Sequence, residues 1–438
     1  MNPFKPLVLL SIAAPVFAQY AGPAVLSRGE APAAMQLPQI DFRPFLAVTG
    51  TFDTGLTGVS VNSQGQLASS DSYGLQFSGG ISGIHSWKHT KLGLDYTGSV
   101  SDYFQRTYYD STNQSLSLSI LHQFSRRLAL NLRESAGLFA QNYTSLGLAQ
   151  TVPFDPSQSY VPVTDFFDNR TLYLTTQADL IYQKNARLSF DFGGDGFIND
   201  RRSQALYSAT GAAARADVQY RLTRRTTIGG HYSYTYYSYS RILGSSNLHT
   251  AMATLSSRLS RWWEFSLSGG VIRVENRFDE LVPLDPVVAQ LLGYSSGVQI
   301  VYGVDYVPTF SGRLSRTFRT GVFWVGGGRS VTPGNGLFLT SKMTNATIGY
   351  TYTGLRRWSC TAQVMYDRGD SQGNVLGTYG DISGGMSISR QIVKSLHFVV
   401  GADARRYQSP SFNLYNRTVY DASLGLGFSP GAIPLRLW

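Results

Sequence analysis

Residues able to do chemistry are few in this chain and do not assemble. Its six histidines, His85, His89, His122, His231, His249 and His397, are scattered and form no metal-ligand pattern. Cys360 is the only cysteine, so neither an intramolecular disulfide nor a Cys-based metal site is available. Gly326-Gly-Gly-Arg-Ser330 lacks the Gly-Lys-Ser/Thr ending of a phosphate loop. Gly193-Gly-Asp-Gly196 reads better as a strand end or a bulge. The run from His231 to Ser240 is dense in tyrosine. It could stack sugars, but it fits better as an aromatic girdle, with rings in lipid headgroups and hydroxyls in water. No catalytic, cofactor-binding or metal site is expected, and no cofactor.

The remaining candidates are charges, and their placement depends on the elements that carry them. Those elements alternate with period two, the signature of a strand wet on one face. Leu116, Leu118, Ile120 and Phe124 alternate with Ser115, Ser117, Ser119 and Gln123. Ala212, Ala214, Ala216, Val218, Tyr220 and Leu222 alternate with Arg215, Asp217, Gln219 and Arg221. Leu188, Phe190 and Phe192, then Ile348, Tyr350 and Tyr352, and then Trp358 through Tyr366 follow suit. These runs are long enough to cross a bilayer as tilted strands of ~10 residues. Aromatics make up 13% of the chain and charged residues only 15%, with 45 glycines, a mixture foreign to soluble domains.

Short basic turns punctuate the strands: Trp87–Thr90, Ser125–Arg127, Gln183–Asn185, Thr223–Arg225, Ser260–Trp262, Ser315–Thr317, Leu355–Arg357 and Ile392–Lys394. They recur every ~40 residues, which accommodates two long strands, a short turn and a longer loop. A propeller blade of similar period would need four short strands instead. Eight turns imply nine hairpins and an all-β antiparallel up-and-down barrel of about 18 strands, with 16 as the alternative. Tyr143–Asn169 and Arg277–Gln299 read as the long loops of the opposite rim.

At the N-terminus, Lys5 precedes an apolar run from Leu7 to Phe17 and a small-x-Ala site ending at Ala18. This is the pattern of a secretory signal over residues 1–18, since an apolar run of ~16 Å is too short to span a bilayer. Residues 19–41, rich in proline and alanine, read as a periplasmic lead-in too short for a plug domain. The barrel is expected over 42–428 and a tail over 429–438.

The last strand, Tyr420-Asp-Ala-Ser-Leu-Gly-Leu-Gly-Phe428, places Tyr420, Ala422, Leu424, Leu426 and Phe428 on one face. Here the chain resembles the Gram-negative outer-membrane β-barrels, whose closing strand ends in such a run. The resemblance implies location in the bacterial outer membrane, surrounding lipid, and recognition of the end at Phe428 by the insertion machinery. The sequence departs by continuing from Ser429 to Trp438 with Pro430 and Pro434. In porins the third loop often folds inward, which would be 143–169 here; a loop lying outside is the alternative.

If the Ala-, Leu- and Tyr-bearing faces meet lipid, the charged residues point inward, because a lipid-facing Arg or Lys at mid-depth costs ~2–4 kcal/mol. The expected lumen-lining residues are Arg133, Arg215, Asp217, Arg221, Arg258, Asp305, Arg313, Arg319, Asp403 and Arg405, with Asp95, Asp179, Asp191, Asp367 and Asp381 on the same face. Glu134 violates the phase unless a bulge near Ser135–Gly137 re-aims it. The excess of positive charge, +10 in all, then lies in a periplasmic rim of Lys88, Arg126, Arg127, Lys184, Arg224, Arg225, Arg261, Arg316, Arg356, Arg357 and Lys394. This rim either grips anionic phospholipid or forms a cationic mouth for an anionic polymer or solute; nucleic acid is excluded by export. Size and strand number resemble the 18-stranded exporters of exopolysaccharide and the substrate-preferring porins. The resemblance implies a non-enzymatic channel for polar, anionic solutes, leaning to polysaccharide export. A porin, or a structural or adhesion barrel with a filled lumen, are the alternatives.

Overall fold

The computed structural model describes residues 42–430 apart from 55–56, 62–66, 70, 105–109, 140–170, 203, 205, 241–243, 284, 286, 288–289, 292, 294, 335, 337–338, 353, 356, 373–376 and 409–415. The expected signal, lead-in, third loop and most of the tail lie outside the described residues. The first half of the chain forms β1 (Arg43–Asp53), β2 (Thr57–Val61), β3 (Leu67–Ser69), β4 (Ser72–Ser86), β5 (Thr90–Tyr103), β6 (Ser111–Gln123), β7 (Leu128–Phe139), β8 (Thr171–Gln183), β9 (Leu188–Arg201) and β10 (Ala209–Arg221). The second half forms β11 (Thr226–Tyr239), β12 (Gly244–Ser257), β13 (Trp263–Pro283), β14 (Ser296–Phe318), β15 (Gly321–Thr332), β16 (Ser341–Tyr352), β17 (Trp358–Ser371), β18 (Thr378–Val393), β19 (Leu396–Gln408) and β20 (Arg417–Phe428).

Apart from β2 and β3, a small hairpin of their own, the strands form one 18-stranded antiparallel sheet. Neighbours in sequence are neighbours in the sheet, and β1 closes it by pairing with both β4 and β20. The expected count of 18 therefore stands. Closure removes the edges, leaving no row of unpaired N–H and C=O groups that lipid could not satisfy.

Pairing keeps each strand's faces in phase around the ring, apart from one register shift between Gln391 and Val393 in the β18–β19 ladder. Between β1 and β20, Leu46 opposes Phe428 and Val48 opposes Leu426, all exposed on the outer face. One residue along, Phe45 and Ala47 face inward and pack with Val399. In the tyrosine-rich strand β11, Tyr232, Tyr234 and Tyr236 lie outward and exposed. Tyr237 and Tyr239 are buried inside.

Four local expectations are corrected. Ser315-Arg316-Thr317 is not a turn: β14 runs on to Phe318, with the Arg316 guanidinium stacked 5.0 Å from the Trp263 ring and 4.6 Å from Phe318, and the chain reverses at 319–320. Arg277–Gln299 is not all loop, since the β13–β14 ladder continues to Pro283 opposite Ser296. Beyond Phe278, β13 has run past its ladder with β12; β14 meets β15 only from Phe310 onward, so this hairpin projects beyond the ring. No bulge re-aims Glu134, because β7 pairs with β6 and β8 in unbroken register. Its carboxylate faces outward and accepts a hydrogen bond from Thr176 Oγ1 at 2.7 Å. Gly193–Gly196 is neither strand end nor bulge but the middle of β9, paired throughout with β8 and β10.

Candidate functional site

Three features shape the inner wall. The first is an ion-pair network across β8 to β11. Arg215 of β10 reaches over β9, binding Asp179 of β8 and, at 3.1 Å, Asp195 of β9. The path is open because position 193 is glycine: a Cβ there would collide with the Asp179 carboxylate and the Arg215 guanidinium. Gln177 Nε2 and Asn131 Nδ2 donate to the second oxygen of Asp179 at 3.1 and 3.3 Å. One strand on, His231 Nδ1 lies 2.8 Å from Asp217 Oδ1.

Directly across the ring lies a row of carboxylates. Asp367 of β17 opposes Asp381 of β18. Asp403 of β19 opposes Asp421 of β20, and Asp421 in turn opposes Asp53 of β1. Arg405 stands among them, its Nε 3.7 Å from Asp381.

The third feature is an apolar inner patch covered by a connection. At the end away from the short turns, Phe197, Tyr237, Tyr239, Leu248, Ile272, Val274, Phe278 and Val307 form an apolar cluster on the inside of β9 to β14. The β15–β16 connection folds onto it. Leu339 is fully buried in the cluster, and Thr340 Oγ1 lies 2.7 Å from Tyr239 Oη and 2.6 Å from Ser246 Oγ. The Thr340 amide donates to Tyr239 Oη at 2.9 Å. The same connection accepts a hydrogen bond at Gly336 O from the Tyr207 amide of the β9–β10 loop, 2.9 Å away. A segment between β15 and β16 is thus pinned to strands three and four places around the ring.

The wall so described is charged and hydrogen-bonding for most of its depth, while Leu, Val, Phe and Tyr cover the outside. In water such an exterior would be an aggregation surface. In a bilayer it is matched by hydrocarbon, and the closed ladder satisfies the backbone. The chain is a membrane-spanning β-barrel.

No family model and no curated protein matches this barrel. Among solved structures it is similar to OpdQ of Pseudomonas aeruginosa, with 11% identity and a TM-score of 0.43, covering 91% of this chain and 99% of that one. It is also similar to a BenF-like porin from Pseudomonas fluorescens Pf-5, at 11% identity and TM-score 0.41, covering 90% and 99%. The ferric-catecholate import receptor Fiu of E. coli K12 overlaps with 8% identity and TM-score 0.45, covering 93% and 85%. The barrel assignment rests on the ladder and its two faces, not on these overlaps.

The residues expected in the lumen divide. Arg133 shares the inner face, opposite Ser119 and Gln177. Arg215 and Asp217 belong to the ion-pair network, and Asp403 and Arg405 to the carboxylate row. Arg313 is half-buried on the inner face of β14. Arg221 sits at the turn end of β10, and Arg258 is at the mouth, bonded to Glu264 at 3.0 Å. One is corrected: Arg319 lies in the β14–β15 turn, because β14 is longer than its sequence suggested. Asp305 keeps the inner-face phase opposite Val274, on the part of β14 beyond the β15 ladder and 3.0 Å from Lys342 Nζ.

Of the expected rim, Lys88, Arg126, Arg127, Lys184, Arg224, Arg225, Arg261, Arg357 and Lys394 occupy the short turns or their edges. Arg316 is on a strand instead, and Arg356 lies outside the described residues. Sequence reasoning passed over Asp195, although it shares the period-two phase of Asp191 on β9; it also passed over His231, Asp53 and Asp421, whose link to Asp217 and Asp403 appears only through the cross-strand register. For Leu339 and Thr340 there was no such signal.

Proposed function

We propose that the barrel is a passive, non-enzymatic channel for polar solutes, narrowed at its outer end by the β15–β16 connection. The observation that carries this is the charged inner wall: the Arg215 network on β8 to β11 and, across the ring, the carboxylates of β17 to β20 with Arg405. Polar and charged groups on the inner face of a membrane barrel suit a water-containing lumen, whereas a dry interior would require each of them to be paired. Mixed carboxylates and guanidiniums also offer weak contacts at many depths, which lets a solute leave as well as enter. Single-channel recording in planar bilayers tests the reading: discrete open levels are expected, whereas a silent, folded barrel would point to a structural or adhesion role with a filled lumen.

A finer reading, preference for anionic solutes and export of an acidic exopolysaccharide, draws its support from the basic turns at one mouth. The carboxylate row pulls the other way. Reversal potential in a salt gradient separates them, an anion preference favouring the export reading and a cation preference counting against it.

A further inference from the structure

We infer that the short-turn mouth of the barrel holds a binding site for an oxyanion, carboxylate or phosphate, carried on a hydroxyl-rich solute. A cleft, partly open to solvent, lies there between the ends of β6, β8 and β10. Arg126, Arg127, Arg187 and Arg221 contribute to its lining together with Gln183 and Gln219, and no Asp or Glu does. Guanidinium groups present paired donors that match the two oxygens of a carboxylate or phosphate, and glutamine amides suit neighbouring hydroxyls.

The arginines are carried on stitched backbone. Gln183 N donates to Arg127 O at 2.7 Å, and Arg221 N donates to Arg187 O at 2.7 Å, so the two turns and β10 form one rigid floor. Arg221 is further oriented by donating from Nε to Thr223 O at 3.3 Å and from Nη2 to Arg224 O at 3.1 Å. Its remaining donors stay available to a ligand.

The location separates this site from simple attraction to phospholipid. Gln183 and Gln219 share the inner faces of β8 and β10 with Asp179 and Asp217, so the cavity opens to the lumen rather than to the surrounding leaflet. Deeper on the inner faces of β8, β9 and β10 come Asp179, Asp191 and Asp217. An anion is therefore held at the mouth and repelled from the next layer, while its neutral, hydroxylated portion can extend along the wall. The site deepens the channel reading and rests on it for its role, but occupancy is measurable without conduction.

The test uses the full chain folded in detergent, titrated calorimetrically with glucuronate, glucose 6-phosphate and glucose. Saturable binding of at least one of the two anions is expected, with glucose at least tenfold weaker, and the anion that binds identifies the group. The double variant Arg127→Gln/Arg187→Gln should lose tenfold or more in affinity, and Arg224→Gln, outside the cavity, should lose less than twofold. Raising salt from 0.05 to 0.5 M should weaken binding to the unmodified protein severalfold, a readout that needs no variant. No saturable binding of either anion, or binding of glucose as tight as of the anions, overturns the site. Conductance without anion binding sinks the site alone, and anion binding by a silent barrel sinks the channel reading alone.

Discussion

At the scale of single residues, two positions show how tightly side-chain size and polarity are set by which face a residue occupies. Gly193 leaves room for Arg215 to reach Asp179, so Gly193→Ala should force that pair apart at a cost of about 1–3 kcal/mol, the usual penalty of overpacking. Urea unfolding from vesicles, followed by tryptophan fluorescence, measures it; an unchanged midpoint would show that the pair does not need the gap. Glu134 is the converse, a carboxylate midway along β7 on the lipid face with only Thr176 to bond it. Glu134→Leu should stabilise the barrel by up to about 2 kcal/mol in the same assay. The inward charges on β10 were legible in sequence because a two-residue period assigns every residue a side. The purpose of Gly193 was not legible, since the groups it accommodates come from strands on either side of it.

At the scale of elements, strand number and pairing followed from the spacing of basic turns, and went astray where Arg316 mimicked a turn residue while stacking on Trp263 and where the β13–β14 ladder runs on past Arg277. The inward fold of the β15–β16 connection had no sequence signature. Thr340 meets Tyr239, 101 positions away in the chain, and Leu339 resembles any loop leucine until the cluster it enters is known. Thr340→Val removes the hydroxyl contacts to Tyr239 and Ser246 while keeping shape and backbone. Each such hydrogen bond contributes about 1 kcal/mol. The segment should then detach more often, which single-channel recording would register as a higher mean conductance with added flicker. Conductance identical to that of the parent would mean the segment does not restrict passage.

At the scale of the whole molecule, stability depends on closing the ring. β1 is the one strand that joins the two ends of the sequence, through eleven paired positions with β4 and eight with β20. A chain starting at residue 57 would keep seventeen barrel strands but expose two edges in lipid, where each unsatisfied backbone group costs several kcal/mol. It should fail to fold in vesicles, losing the strand signal in circular dichroism and becoming sensitive to protease. Adding residues 42–56 back as a separate peptide should restore part of the signal by supplying the missing ladder.

The β13–β14 hairpin extends past its neighbours on the side opposite the short turns, so with those turns in the periplasm, as the sequence pattern implies, its tip would stand outside the cell. An antibody epitope spliced between Pro283 and Ser296 should therefore be stained on intact cells, whereas one in the 319–320 turn should require permeabilisation. The hairpin thus serves as a built-in flagpole, reporting which way up the protein has been inserted. Staining of both tags on unbroken cells, or of neither, would contradict that orientation.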